Sequence, residues 1–269
     1  MANRTILKWA GSKVRIIEQL RPHLPKAKRL VEPFAGSCAI MMNADYEEYF
    51  IADINKDLIN LYEWILNHFN YIPEDKNKLN EFNQWWSSIN SKDNYYLARN
   101  IFNKTTSQEE KAIGFLVLNR HCYNGLCRYN SKGEFNVPYG QYLKPYFPKK
   151  EIFEFVQKAK KARIVNLEWQ DTLSLVDYGD GVYCDPPYMG DNFTRYHATD
   201  FTDAEHESLA FALKDLNDIQ GNAITVSNSI EAKALYADLG FTVHEIEAPR
   251  TIAANGSRKK ACEIIAVLQ

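Results

Sequence analysis

Seven short apolar runs alternate with helical patterns along this 269-residue chain, and that rhythm leaves few folds open. The runs are Arg29–Phe34, Tyr49–Asp53, Ala162–Val165, Gly181–Asp185, Asn222–Ser227, Phe241–Ile246 and Glu263–Leu268. Helical spacing fills several of the gaps: Ser37–Asp45, Lys149–Lys160, Thr202–Leu216 and Ile230–Leu239. Strands separated by helices build an α/β fold, a mostly parallel sheet wrapped by helices on both faces. The last two strands are expected to run antiparallel, because Asn255-Gly256 between them is a turn signal. At this length the chain forms one large domain or a core with an insertion.

One interval breaks the rhythm. From Lys56 to Pro148 no β-rich run occurs. Helical patterns come first, at Leu58–Phe69, Leu79–Ser88, Tyr95–Asn103 and Glu109–Arg120. A long segment rich in Asn, Gly, Tyr and Pro follows, Cys122–Pro148. A loop of that length is functional or disordered, and its aromatic content argues for order. The expectation is a helical module, 57–148, inserted into a core formed by 1–56 and 149–269.

Composition bounds the class. Hydrophobic residues at 45% and charged residues at 25% describe an ordinary globular protein. No apolar run reaches 18 residues and the N-terminus lacks a signal-like stretch, so a cytoplasmic protein without a membrane partner is expected. Five scattered cysteines fit reduced thiols better than a disulfide framework. His121 and Cys122 lie close to Cys127, but no second ligand pair stands at finger-like spacing, so no metal is expected.

Four motifs carry chemistry. Asp185-Pro186-Pro187-Tyr188 follows an apolar run, so it sits at the carboxyl end of a buried strand, where open α/β sheets bind ligands. Pro187 confines Pro186 to an extended conformation and fixes its carbonyl. A carboxylate, a carbonyl and an aromatic face then converge to accept hydrogen bonds from a planar amine and to stack on its ring. The plainer alternative is a strand-ending turn with a surface tyrosine. Asp53 ends the second strand, where a nucleotide-type fold holds ribose hydroxyls, although alone it reads more readily as a helix N-cap or turn residue. Glu32-Pro33-Phe34-Ala35-Gly36-Ser37 passes from strand through a glycine turn to helix, a place for close cofactor approach. G-x-G-x-x-G is absent, which disfavours a nicotinamide or flavin. In Lys8-Trp9-Ala10-Gly11-Ser12-Lys13, Trp9 offers a stacking face and Lys13 a cation for a carboxylate.

Taken in order, KWAGSK, EPFAGS, ADIN, NGLCRYNSKGEFNVPYG, DPPY and NGSRKK resemble the Dam-type DNA adenine-N6 methyltransferases, a D12-class group, over essentially the whole chain. The resemblance implies a Rossmann-like methyltransferase sheet, S-adenosylmethionine as cofactor, no metal, double-stranded DNA as partner, and transfer of a methyl group to N6 of a flipped adenine in GATC. It implies no obligatory protein partner. It assigns Trp9, Lys13, Phe34, Ala35, Gly36 and Asp53 to the cofactor. Asp185, Pro186, Pro187 and Tyr188 would hold the adenine, with Asp185 also beside the cofactor. Lys8, Leu126, Arg128 and Pro138 match positions that read bases, and Tyr123 and Asn124 match residues that enter the duplex.

The chain departs from the family pattern at three places. Cys38 replaces the second glycine of F-x-G-x-G, which predicts slightly looser cofactor approach. Ser12 stands where a second glycine is usual, and His121-Cys122 replaces an aromatic-glycine pair. Charge supports a nucleic-acid partner once it is mapped. The net charge is −2, yet Arg120 to Lys150 carries a local +5 and Pro249–Lys260 a further +4. On that basis Arg120, Arg258 and Lys259 join the expected DNA contacts. The competing readings are methylation of cytosine N4, RNA or a protein glutamine, and a catalytically silent DNA-binding relative.

Overall fold

A computed structural model describes residues 2–69, 82, 84–190, 201–249 and 260–269. All the expected strands form: β1 (Arg29–Glu32), β2 (Glu48–Asp53), β3 (Ala162–Asn166), β4 (Gly181–Cys184), β5 (Ala223–Ser229), β6 (Thr242–Pro249) and β7 (Lys260–Leu268). They make one seven-stranded sheet in the order β3-β2-β1-β4-β5-β7-β6. β1 to β5 run parallel, and β7 is antiparallel to both β5 and β6. The Asn255-Gly256 turn that motivated the last pairing lies outside the described residues.

Side chains alternate across the sheet, as a period of two requires. Leu30, Tyr49, Ile51, Tyr183 and Ile265 enter one core, while Val31, Phe50, Val182, Cys184 and Ile264 enter the other. The first face is covered by α1 (Ile17–Leu20), α2 (Ala39–Asn43), α3 (Lys56–Phe69), a helical stretch at 84–88, α4 (Lys92–Lys104), α5 (Gln108–His121) and α6 (Lys149–Ala159). The second is covered by α7 (Trp169–Leu173), α8 (Asp203–Gln220) and α9 (Lys233–Asp238). Both faces being covered explains why the strands read as apolar runs.

Local chemistry sets the helix ends. Ser91 and Ser107 cap α4 and α5 by accepting from Asn94 N and Glu110 N. Thr202 and Glu205 form a reciprocal capping box on α8, and Gly221 ends it in a left-handed conformation. α8 therefore runs beyond Leu216, where its apolar pattern fades, to the first residue that can stop it. α5 buries every residue from Ala112 to His121, so it is an interior helix rather than an amphipathic one. The helices between β2 and β3 share one continuous core with the sheet, from Leu30 and Ile51 through Tyr62 to Phe102 and Phe115.

Gly181 opens β4 directly beneath Pro25. A Cβ there would lie 2.4 Å from Pro25 Cβ and 3.1 Å from Ala27 Cβ. Gly181→Ala is expected to lower stability by about 1–3 kcal/mol through overpacking, read from urea unfolding. An unchanged midpoint would show that the Pro25 segment yields at no cost.

Candidate functional site

A pocket opens at the carboxyl ends of β1, β2 and β4, where the sheet order reverses direction. It gathers residues from four separate stretches of sequence: Trp9 to Lys13, Glu32 to Ser37, Asp53, and Asp185 to Tyr188. Every residue assigned above to the cofactor or to adenine therefore lies on its wall.

Asp53 organises the floor. Its Oδ2 accepts from Gly36 N and its Oδ1 from Asn55 N, both at 2.9 Å. Tyr62 OH donates to Gly36 O at 2.8 Å. Gly36 has φ +47°, and a Cβ there would stand 2.8 Å from Trp9 Nε1. The turn thus needs glycine both for its backbone and to let the indole approach. Cys38 adopts φ 56°, ψ 37°, the left-handed conformation that a glycine would take freely. Its consequence is backbone strain, about 1–2 kcal/mol for a residue with a Cβ. The thiol is buried and not on the pocket wall, and burial pushes its pKa up. Ser12, the other departure in this region, accepts from Ser37 Oγ at 3.1 Å and ties two walls together.

Asp185 faces Lys13. The ammonium lies 2.6 Å from Asp185 Oδ2, with side chains only 5% and 20% exposed, and also donates to Gly11 O at 2.6 Å. Asp185 Oδ1 is buried without a hydrogen-bond partner. Burial raises the Asp185 pKa to about 6, with Lys13 pulling it down and Glu263 pushing it up. The Tyr188 ring has the Lys13 ammonium 4.9 Å from its centroid, and its hydroxyl donates to Glu263 Oε2 at 2.8 Å. Asn228 Oδ1 accepts from Met189 N at 3.0 Å, and Ser229 Oγ donates to Met189 O at 2.8 Å. The end of β5 and a carboxylate of β7 therefore hold the Asp185–Tyr188 turn. Glu32, at the end of β1, also lines the pocket with Oε1 buried and unpartnered, and burial pushes its pKa to about 8.

The expected base-reading residues form a second cluster. Asn119 grips Lys8 as a strand would: Oδ1 accepts from Lys8 N at 2.9 Å, and Nδ2 donates to Lys8 O at 2.8 Å. A Cβ on Gly125 would lie 2.2 Å from Lys8 Cβ, and Gly125 has φ +67°, so only glycine fits. Lys8 Nζ sits 3.7 Å over the Tyr142 ring, and Tyr142 OH accepts from Asn124 N at 3.1 Å. Burial, then repulsion from Arg120, lowers the Lys8 pKa. Tyr123 and Asn124 are exposed, with Asn124 at φ 54°. Tyr123 N donates to the carbonyl of exposed Pro138 at 2.8 Å. Half-buried Leu126 leads into a hairpin in which Arg128 O accepts from Asn136 N at 3.0 Å. Exposed Arg128 donates from Nε to Asn136 Oδ1 at 2.8 Å.

Arg120 corrects an expectation. It is 7% exposed, and its guanidinium donates to Ile6 O from Nε at 2.8 Å, to Thr5 O from Nη2 at 3.1 Å and again to Ile6 O. It fastens the N-terminal segment to α5 and is spent inside the protein, with burial lowering its pKa to about 10. His121 and Cys122 also point inward: His121 Nδ1 meets Val117 O at 2.8 Å and its ring packs on Trp86, while Cys122 is fully buried. Arg258 and Lys259 lie outside the described residues. Among the described residues, no group of three or more His, Cys, Asp or Glu is placed to hold a metal, and no helix is long and apolar enough to cross a membrane.

Sequence reasoning missed Glu32, Glu263, Asn119 and Asn136. Glu32 carried a signal, an acid ending an apolar strand beside a glycine turn. Glu263 carried none, because an acid at the start of a terminal strand reads as solvent-facing until β7 is placed next to β5.

The family model for D12 class N6 adenine-specific DNA methyltransferases matches residues 9–252. The Retron Ec67 DNA adenine methylase of Escherichia coli is 46% identical over 268 residues, 98% of this chain and 90% of that protein. A DNA adenine methylase of Serratia marcescens is 40% identical over 270 residues, 98% of each chain. The DNA adenine methylase of Escherichia coli strain K12 is 37% identical over 270 residues, 98% of this chain and 95% of that one.

Replacing Arg120 by Gln is expected to cost about 2–4 kcal/mol of stability, because buried carbonyls lose their donors. The salt slope of DNA binding should stay unchanged. A slope reduced by about one, with stability intact, would return Arg120 to the DNA face.

Proposed function

This chain belongs to the D12 class N6 adenine-specific DNA methyltransferases, and from that premise we propose that it methylates adenine in GATC using the pocket described above. It is an S-adenosylmethionine-dependent enzyme acting at specific DNA sites. The observation that carries the site assignment is Asp185 Oδ1, a buried acceptor without a partner, at the end of a central strand and beside an aromatic ring.

The pocket fits the methyl donor on its own chemistry. The Gly36 turn lets the Trp9 indole close against the pocket floor, which a Cβ would prevent. Glu32 Oε1 and Asp185 Oδ1 are orphaned acceptors in a wall carrying Asp53, Glu32 and Asp185 against one cation, Lys13. With Glu32 held protonated by burial, Asp53 and Asp185 against Lys13 leave one negative charge in the wall, which suits a ligand with cationic centres. Trp9, Phe34, Ala35 and Gly36 would enclose it, Asp53 would hold its ribose hydroxyls and Lys13 its carboxylate. When bound, S-adenosylmethionine supplies an electrophilic methyl group on a sulfonium.

The protein's part is positioning and electrostatics. Residues 57–148 would present the DNA-binding face, with Lys8, Leu126, Arg128 and Pro138 on base edges and Tyr123 and Asn124 entering the stack. Extruding the adenine costs a few kcal/mol, repaid in the pocket by stacking on Tyr188. The adenine amine is a poor nucleophile because its lone pair is delocalised into the ring. Hydrogen bonds accepted by Asp185 and the Pro186 carbonyl favour a pyramidal nitrogen with a localised pair. Glu263 keeps the Tyr188 ring in place through its hydroxyl.

Plasmid treated in vitro with the enzyme and donor should resist a nuclease blocked by adenine-methylated GATC and be cut by one that requires it. Methyl label in cytosine, in RNA, or in adenine outside GATC would overturn the proposal. The ionised form of Asp185 is the acceptor, so kcat/KM for the methyl donor should rise with pH through about 6. Glu263→Gln removes a like charge facing Asp185 and should move that midpoint lower. A midpoint unmoved by Glu263→Gln would separate the titration from Asp185.

A further inference from the structure

The hairpin carrying Arg128 is fastened on either side of the arginine. On one side Asn55 Nδ2 donates to Cys127 Sγ at 3.4 Å; on the other Tyr129 OH donates to Asp57 Oδ2 at 2.8 Å. Asn55, Asp57 and Cys127 are buried, whereas Arg128 between the fasteners is exposed. Both fasteners rise from the turn leaving β2. Asp53 Oδ1 accepts from Asn55 N, and Asn55 Oδ1 caps α3 by accepting from Asp57 N and Leu58 N at 3.1 Å. Asn55 therefore uses both ends of its amide, one on the helix and one on the hairpin. Neither Asn55 nor Asp57 lines the pocket.

Helix capping accounts for Asn55 Oδ1 and for an acid in the first turn. It does not account for the contacts that reach 72 residues along the chain to Cys127 and Tyr129. Apolar packing is non-directional and would let the hairpin rock, whereas a hydroxyl-to-carboxylate bond fixes one orientation. Orientation is what Arg128 needs. Asn136 already holds it twice, Oδ1 accepting from Nε at 2.8 Å and the carbonyl from Nη2 at a long 3.5 Å, while the terminal nitrogens keep further N–H groups that point outward as a fork. Such a fork reads a guanine edge only when both donors align at once.

We propose that Asn55 and Asp57 are positioning residues for Arg128, setting site discrimination without touching DNA. The proposal rests on the reading of Arg128 as a base contact. It makes the turn beginning at Asp53 a shared foundation: one end supports the cofactor floor, the other the recognition fork.

The test is Tyr129→Phe, which removes the hydroxyl but keeps the ring on Phe135. kcat/KM is measured on the cognate duplex and on duplexes altered at one base pair, beside Arg128→Ala. Tyr129→Phe should lose about tenfold in discrimination at the base pair that Arg128→Ala also relaxes, and nowhere else. Binding of the methyl donor and kcat on the cognate duplex should stay near wild type. Asp57→Ala should reproduce the effect, and Asp57→Asn, which keeps an oxygen acceptor, should restore most of the discrimination. Unchanged discrimination in Tyr129→Phe and Asp57→Ala, with Arg128→Ala relaxed, overturns the positioning role alone. An equal loss on every duplex in Tyr129→Phe also overturns it, since that marks general loosening. Arg128→Ala weakening all duplexes equally overturns the base-reading role and the positioning with it.

Discussion

The ion pair between Lys13 and Asp185 is the contact on which the site's arrangement depends. It joins the N-terminal segment to the end of the central strand β4 in the wall of the pocket. Desolvating two charges is costly, and the cost is met here by geometry: a 2.6 Å contact and a further bond from Lys13 to Gly11 O. The pair still leaves one Asp185 oxygen unpartnered. That oxygen is what an incoming amine would find. The proposed acceptor is thus ionisable and oriented without substrate, which is the physical content of preorganisation.

The same N-terminal segment also reaches the second cluster, beside Tyr142 and Asn124. Arg120 holds Thr5 and Ile6, Asn119 holds Lys8, and Trp9 and Lys13 enter the pocket. Adjacent residues therefore serve different surfaces: Lys8 stands over Tyr142 beside Asn124, while Trp9 packs on Gly36. On the opposite side of the pocket, the turn after β2 plays a parallel part between Asp53 and the Arg128 hairpin. Two chain segments, each only a few residues long, link the pocket to the cluster around Lys8 and Arg128. The continuous core beneath them makes this linkage stiff.

Much of this was readable from residues. Every strand showed as an apolar run because both faces of the sheet are buried, and Asp185 to Tyr188 declared itself by ending one of them. Short-range signals told less about partners far apart in the chain. Arg120 counts as positive charge in sequence, yet its charge is absorbed by two carbonyls more than a hundred residues away. Glu263 became visible only through the β5–β7 register that brings it to Tyr188. Cys38 could be seen as a lost glycine, but only its left-handed backbone shows that the position carries strain. α7 escaped notice because five residues carry too little periodicity.

The account stands on Asp185 as the acceptor of the extruded adenine's amine, and one protein tests it most directly. Asp185→Asn is nearly isosteric, so duplex binding and base extrusion, followed by 2-aminopurine fluorescence at the target position, should persist. Single-turnover methyl transfer to adenine in the same protein should fall at least about a hundredfold. Transfer at a near wild-type rate by a variant that binds and flips normally would contradict the account.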